Sequence, residues 1–228
     1  MIIDTHCHFD MMPRPEEYVF GKERAGDIVI GMTNLPSHFQ MGMPHVKSLK
    51  HIRLALGMHP LMVAKGDKEL LLFKQLVDNT SYIGEIGLDF SREGYDTKDE
   101  QIKVLREILC TLRGKKKILS VHSRRAEKDL LELLSEYEIQ NVIFHWYSGP
   151  VSLIPDILAR GYYFSLNEAM CLSKNGKSII EKIPHDKILT ETDAPYNERT
   201  NIMSVLSYLH ISENDVYSNF RRLLKGLN

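Results

Sequence analysis

Met1-Ile2-Ile3-Asp4-Thr5-His6-Cys7-His8 opens the chain. The apolar start suits a strand buried on both faces, and the run turns polar with Asp4, His6 and His8 at alternate positions. Alternate side chains of a strand share one face. His6 and His8 are therefore expected to aim two imidazoles at one point, as a chelating pair does. Asp4 is expected on the same side, placed to orient one imidazole as an outer acceptor. Cys7 then points away, as a small buried hydrophobe against outer helices. His pairs in strands are common, so the reading turns on whether later strands supply more ligands.

Outward from this stretch, short apolar runs alternate with amphipathic ones. Strands are expected at 27–33, 52–56, 82–86, 117–121, 141–144, 161–166 and from 187 to 189. Residues 13–24 read as a loop with a short helix. Helical spacing follows from 37, at 68–78, 99–112, 126–137, 155–160 and 178–182, and twice more at the end of the chain. The clearest is 99–112, with Ile102, Leu105, Ile108, Leu109 and Leu112 on one face. Strands alternating with helices in this way point to an α/β fold, a (β/α)8 barrel. An open doubly wound sheet is the alternative, but it does not need polar residues at the ends of so many strands.

With 228 residues, 43% of them hydrophobic, the chain can bury one sizeable core, and one barrel domain over residues 1–228 is expected. The formal net charge of −1 excludes binding driven by a global positive field. Cys7, Cys110 and Cys171 are odd in number and widely spaced, which suggests a reducing compartment without a disulfide framework. No basic segment followed by an apolar run precedes the first motif, and no stretch approaches the roughly 20 apolar residues of a membrane span. A soluble cytoplasmic protein with no membrane partner is expected.

Metal-competent residues fall at the same place in successive units. His6 and His8 follow the first strand, His59 the third, Glu85 the fourth, His122 the fifth, His145 the sixth and Asp193 the eighth. In a barrel these strand ends converge on one mouth. Singly, each has an ordinary reading: His122 as a helix cap, His145 as packing beside Trp146 and Tyr147, Asp193 as a turn residue before Ala194-Pro195. Glu85 between glycines is the hardest to dismiss, because an unpaired carboxylate at the end of a buried run is costly. Their joint placement favours a site.

The segments Asp4-Thr5-His6-Cys7-His8-Phe9-Asp10, Gly57-Met58-His59-Pro60, Gly84-Glu85-Ile86-Gly87-Leu88-Asp89, His122-Ser123-Arg124, His145-Trp146-Tyr147-Ser148-Gly149 and Glu191-Thr192-Asp193-Ala194-Pro195 resemble, in order, those of the TatD family. These are metal-dependent hydrolases of the amidohydrolase-like barrel superfamily, commonly deoxyribonucleases. The resemblance implies that His6, His8, Glu85, His122, His145 and Asp193 bind metals, with Glu85 bridging two ions. It places His59 toward substrate. The chain departs from the family after Asp193. Relatives usually carry a longer loop with an Arg-Asn-Glu-Pro segment, where this chain has Tyr196-Asn197-Glu198-Arg199-Thr200-Asn201. The compact form resembles the TatD-like member of Qat anti-phage defence operons, which implies protein partners.

The expected reaction is phosphodiester hydrolysis on DNA single strands or ends, with two divalent ions about 4 Å apart. Imidazoles favour Zn²⁺ or Mn²⁺, while carboxylates and phosphate oxygens admit Mg²⁺. Asp193 would orient a water or accept its proton, and Glu85 would fix the spacing of the ions. Arg124 either grips a phosphate through its planar fork or forms a surface salt bridge. Trp146 and Tyr147 either stack on a base or, the favoured reading, pack a loop. Lys115-Lys116-Lys117 precedes a strand and belongs to the opposite end of the barrel. The rival functions are hydrolysis of amide, ester or aminoacyl-tRNA bonds, and a non-catalytic metal-binding subunit of a defence complex.

Overall fold

β-Branched and aliphatic runs too short for helices set the strands. They are Ile3–Cys7 (β1), Ile28–Gly31 (β2), Ile52–Leu54 (β3), Tyr82–Gly87 (β4), Ile118–His122 (β5), Val142–His145 (β6), Tyr163–Leu166 (β7) and Ile188–Thr190 (β8). A computed structural model describes residues 1–227, and Asn228, the last residue of the expected domain, lies outside the described residues. Most strand positions are buried, as parallel strands covered on both faces require.

Pairing is parallel throughout, in the orders β1-β2-β3 and β4-β5-β6-β7-β8. Two seams join these arcs. At one, Leu56 N–H donates to Tyr82 O (3.0 Å) and Gly84 N–H donates to Leu56 O (2.9 Å). At the other, Asp193 N–H donates to His6 O (2.9 Å) and His8 N–H to Ala194 O (2.7 Å). Two hydroxyls reinforce this second seam: Thr5 Oγ1 donates to Thr190 O, and Thr190 Oγ1 donates to Ile3 O. An open doubly wound sheet has two free edges. Here both edges are bonded, and the fold is a (β/α)8 barrel.

The helices are Pro15–Ala25 (α1), Pro36–Val46 (α2), Asp67–Leu76 (α3), Lys98–Leu112 (α4), Glu127–Glu136 (α5), Ile154–Ala159 (α6), Glu168–Leu172 (α7), Lys174–Ile180 (α8), Ile202–Leu209 (α9) and Glu213–Lys225 (α10). Two regions differ from expectation. The short helix expected within a loop at 13–24 is longer than expected and takes most of that stretch as α1, started by Pro15 at its first position and stopped by Gly26 at φ 72°. The stretch after β7 holds two short helices instead of one at 178–182. Asn167 and Ser173 cap them, accepting from Met170 N–H and Gly176 N–H. In α4 the expected face is buried except for Ile102, which is only partly covered.

Inside the barrel, Ile3, Ile30, Ile118, Ile143 and Leu189 form an apolar floor, which Val216 and Phe220 of α10 pack against. The polar strand ends therefore gather above a dry base, at the C-terminal mouth. Among the described residues no helix is long and apolar enough to cross a membrane.

Two strands carry an extra residue. From Asp4 to Cys7, β1 takes three steps while its partner β2 takes two, Val29 to Gly31. From Ile83 to Ile86, β4 takes three steps while β5 takes two, Leu119 to Val121. Such bulges re-aim side chains. In β1 the bulge corrects the first expectation. Ile3 faces the interior, so Asp4 turns away from it, and the slip then returns His6 and His8 to the inside. In β4 it leaves Ile83 and Ile86 both in the outer core and directs Glu85 inward.

Candidate metal centre

The structure brings His6, His8, Glu85, His122, His145 and Asp193 together at the mouth. Glu85 is the centre. Its Oε1 lies 2.8 Å from His122 Nδ1 and 2.9 Å from His145 Nε2. Its Oε2 lies 3.2 Å from His8 Nε2 and 3.6 Å from His6 Nε2. Asp193 Oδ1 completes the second group, 3.6 Å from His6 Nε2 and 3.7 Å from His8 Nε2. One carboxylate thus faces a different set of donors with each oxygen. Gly87, at φ 142°, lets β4 approach β5 closely enough for this: a Cβ there would sit 2.0 Å from His122 O.

Charge and burial oppose each other here. Burial pushes the Glu85 carboxyl up, but the surrounding imidazoles, His59 and His145 foremost, overcome it and hold it well below the usual range. Burial also drives His6 well below the ordinary imidazole value. His122 and His145 resist burial and are raised, His122 by Asp89 and Glu85, His145 by Glu85 and Glu191. Burial pushes Asp193 up to about 7.

The donor set fits a divalent cation. His6 Nε2 and His8 Nε2 face each other at 3.1 Å, with Glu85 Oε2 and Asp193 Oδ1 beside them. His6 Nδ1 is engaged by Ser120 Oγ at 2.8 Å. A proton between the two nitrogens satisfies only that pair, whereas a cation satisfies nitrogens and carboxylates together. Ligand atoms of His6, His8 and Asp193, of His6, Glu85 and His145, and of His59, Glu85 and His122 each lie within 4.8 Å of one another.

His59 belongs to the last of these groups by distance but not by chemistry. Its Nδ1 accepts from Leu61 N–H at 3.2 Å, so in the neutral ring Nε2 carries the hydrogen. That Nε2 faces Glu85 Oε1 at 3.5 Å as a donor. Burial lowers the His59 pKa, which favours the neutral ring.

Sequence reading missed the groups that orient the imidazoles. Asp4 does not touch a histidine ring. It accepts from Thr192 N–H and Thr192 Oγ1, at 3.0 and 2.7 Å, and from the His6 backbone, so it holds the β8 loop. The outer acceptors are instead Ser120 for His6 and Asp89 for His122, Asp89 Oδ2 lying 2.8 Å from His122 Nε2. His122 and Ser91 hold the Asp89 carboxyl down at about 2 against the effect of burial. Asp89 ends a motif already singled out, and a second carboxylate four residues after Glu85 was its signal.

A cavity of about 660 Å³ opens over this cluster, lined by His59, Arg124, Trp146 and Tyr196 among others. Arg124 is half exposed and lies 3.4 Å from Glu93, which also lines the cavity. Trp146 reaches the cavity. Tyr147 does not: it is buried, with its hydroxyl donating to Pro150 O at 2.8 Å, and it packs the loop. Lys115 pairs with Asp78 and Lys117 Nζ donates to Thr80 O, both at the start of β4 and β5, away from the mouth.

Known proteins share this arrangement of chain. An uncharacterized metal-dependent hydrolase of Methanocaldococcus jannaschii is 27% identical over 218 residues, covering 90% of this chain and 86% of that protein. Deoxyribonuclease TATDN3 of Homo sapiens is 26% identical over 213 residues, covering 85% and 78%. The solved structure of YjjV, a TatD homolog from Escherichia coli K12, superposes with a TM-score of 0.85 at 23% identity, covering 99% of this chain and 97% of that one. The barrel, its donor-rich mouth and these relatives agree with the TatD related DNase family model, which matches residues 3–210, and the chain belongs to that family.

Proposed function

We propose that the chain is a two-metal phosphodiester hydrolase acting on DNA, at single strands or ends. The observation that carries this is the division of donors by Glu85, with His6, His8 and Asp193 on one side and His122 and His145 on the other. These residues would hold two divalent ions, with Glu85 shared between them. When bound, such ions make water a competent nucleophile near neutral pH and neutralise charge on the phosphate. Asp193, whose Oδ1 lies beside His6 Nε2 and His8 Nε2, would orient the attacking water and accept its proton. His59 presents Nε2–H toward the substrate side. Arg124 exchanges Glu93 for a phosphate, and Trp146 offers a face to a base. Glu85 would also serve catalysis by holding both donor groups together through its two oxygens.

The test is a cleavage assay on single- and double-stranded DNA and RNA, with Mg²⁺, Mn²⁺, Zn²⁺ or EDTA. DNA cleavage that needs a divalent ion is expected. Turnover of ester, amide or aminoacyl-tRNA substrates with no diester cleavage would overturn the reading. The compact form, with its short segment 196–201, supports a role beside protein partners in anti-phage defence, and three widely spaced cysteines support a cytoplasmic setting. Phage plating on cells with and without the gene tests that role, and equal plating would exclude it; protection kept by Glu85→Ala would exclude only a catalytic part in it.

A further inference from the structure

Glu191, at the end of β8, is fully buried, yet no lysine or arginine pairs with it among the described residues. Its carboxylate is surrounded by donors from two strand ends, those of β6 and β7. Ser165 Oγ donates to Oε2 from β7. Asn167 Nδ2 donates to Oε1 at 2.9 Å, and that amide cannot flip without loss, because its Oδ1 caps α7 through Met170 N–H. Trp146 N–H donates to Oε1 at 3.1 Å from the loop after β6. The remaining neighbour is His145 Nδ1, buried, without a hydrogen-bond partner, and 3.7 Å from Oε2.

Two consequences meet in this one side chain. An ionised carboxylate only accepts, so the hydrogen of a neutral His145 belongs on Nδ1, and the lone pair on Nε2 points at the Glu85 side of the centre. The other oxygen holds the backbone of Trp146, a non-glycine residue at φ 35°, where L side chains need support. His145 and Trp146 are adjacent in sequence and answer to opposite oxygens of the same group.

We propose that Glu191 is a positioning residue that couples metal loading at His145 to the placement of Trp146 at the mouth. The proposal rests on the metal reading above. Loading at His145 Nε2 makes Nδ1–H a stronger donor and draws it toward Oε2. The carboxylate then shifts between its neighbours, and the Trp146 loop follows through Oε1. Substrate-facing surface is thereby set only when the centre is filled.

Trp146 is the sole tryptophan, so its fluorescence reports the coupling directly. Chelator-treated wild type and Glu191→Gln are titrated with Mn²⁺ and with Zn²⁺, with metal bound per chain measured in parallel. The wild type is expected to change emission as metal binds. Glu191→Gln should bind about 10- to 100-fold more weakly and, even when loaded, should not reproduce the change. Wild-type affinity together with the wild-type emission change in the variant would overturn the proposal while leaving the metal centre standing. A wild type that binds no metal would overturn both. If Glu191→Gln fails to fold by circular dichroism, the backbone amide resonance of Trp146 in the wild type decides: a shift on metal loading supports the coupling, and an unmoved resonance refutes it.

Discussion

His6 and His145 stack face to face, their ring centroids 3.8 Å apart and their planes 13° from parallel. They come from β1 and β6, strands that are not neighbours in the barrel, and each presents Nε2 to a different oxygen of Glu85. Without a cation, such rings crowd two buried carboxylates with only protons to share. Metal removal should therefore cost stability. A ligand present at 100 times its dissociation constant adds about 2.7 kcal/mol, which for a chain of this size moves Tm by about 5–10 °C. Thermal melts before and after chelation, with metal analysis, check this; coincident melts for loaded and stripped protein would argue against a bound ion at this site.

Glu85→Ala should cost more than His59→Ala. Glu85 serves both donor groups, so its loss should remove at least one ion per chain and with it the turnover. His59 donates through Nε2–H, so His59→Ala should keep the metal and lose at most about 10²- to 10⁴-fold. Metal content and kcat/KM of both folded variants are the measurement. Metal lost from His59→Ala but kept in Glu85→Ala would reverse the roles.

Asp89→Asn tests the outer partner of His122. The amide can present a donor to Nε2, which disturbs the orientation of the ring and its basicity. Metal affinity should fall by about 10- to 100-fold, measured by calorimetric titration, with little change in far-ultraviolet circular dichroism.

Arg124→Gln should raise KM for DNA by about 2- to 5-fold, a modest figure because the guanidinium is half exposed and screened. Lys115→Gln should leave KM unaltered, because that residue sits at the opposite end beside Asp78. Equal effects from the two substitutions would mean that substrate contacts both ends of the barrel.

Thr190→Val removes a hydroxyl that closes the barrel between β8 and β1 and leaves Ile3 O without that donor. A buried acceptor left unmatched costs about 1–3 kcal/mol. Urea unfolding should show a lower midpoint with an unchanged m-value.

The strand ends that carry His6, His8, Glu85, His122, His145 and Asp193 were legible because apolar runs switch to polar at regular intervals. What the sequence hid was phase and partnership. A period of two put Asp4 with His6, but one extra residue in β1 separates them, and nothing local marks that slip. Ser120 and Asp89 bond imidazoles from distant and neighbouring strands, which is a property of barrel closure and not of spacing. Helix α7 was missed because Glu168–Leu172 is too short for periodicity, and its cap, Asn167, follows directly on the strand expected at 161–166.

The seam between β1 and β8 joins Ile3 to Thr190, 187 residues apart. A ribosome delivers His6 and His8 first and Asp193 nearly last. Until β8 emerges, the first strand has its neighbour β2 but no closing partner, and the donors are scattered along an open sheet. Non-local contacts of this kind form late. The donors therefore come together only once β8 has closed on β1, and the centre is among the last parts of the barrel to be assembled.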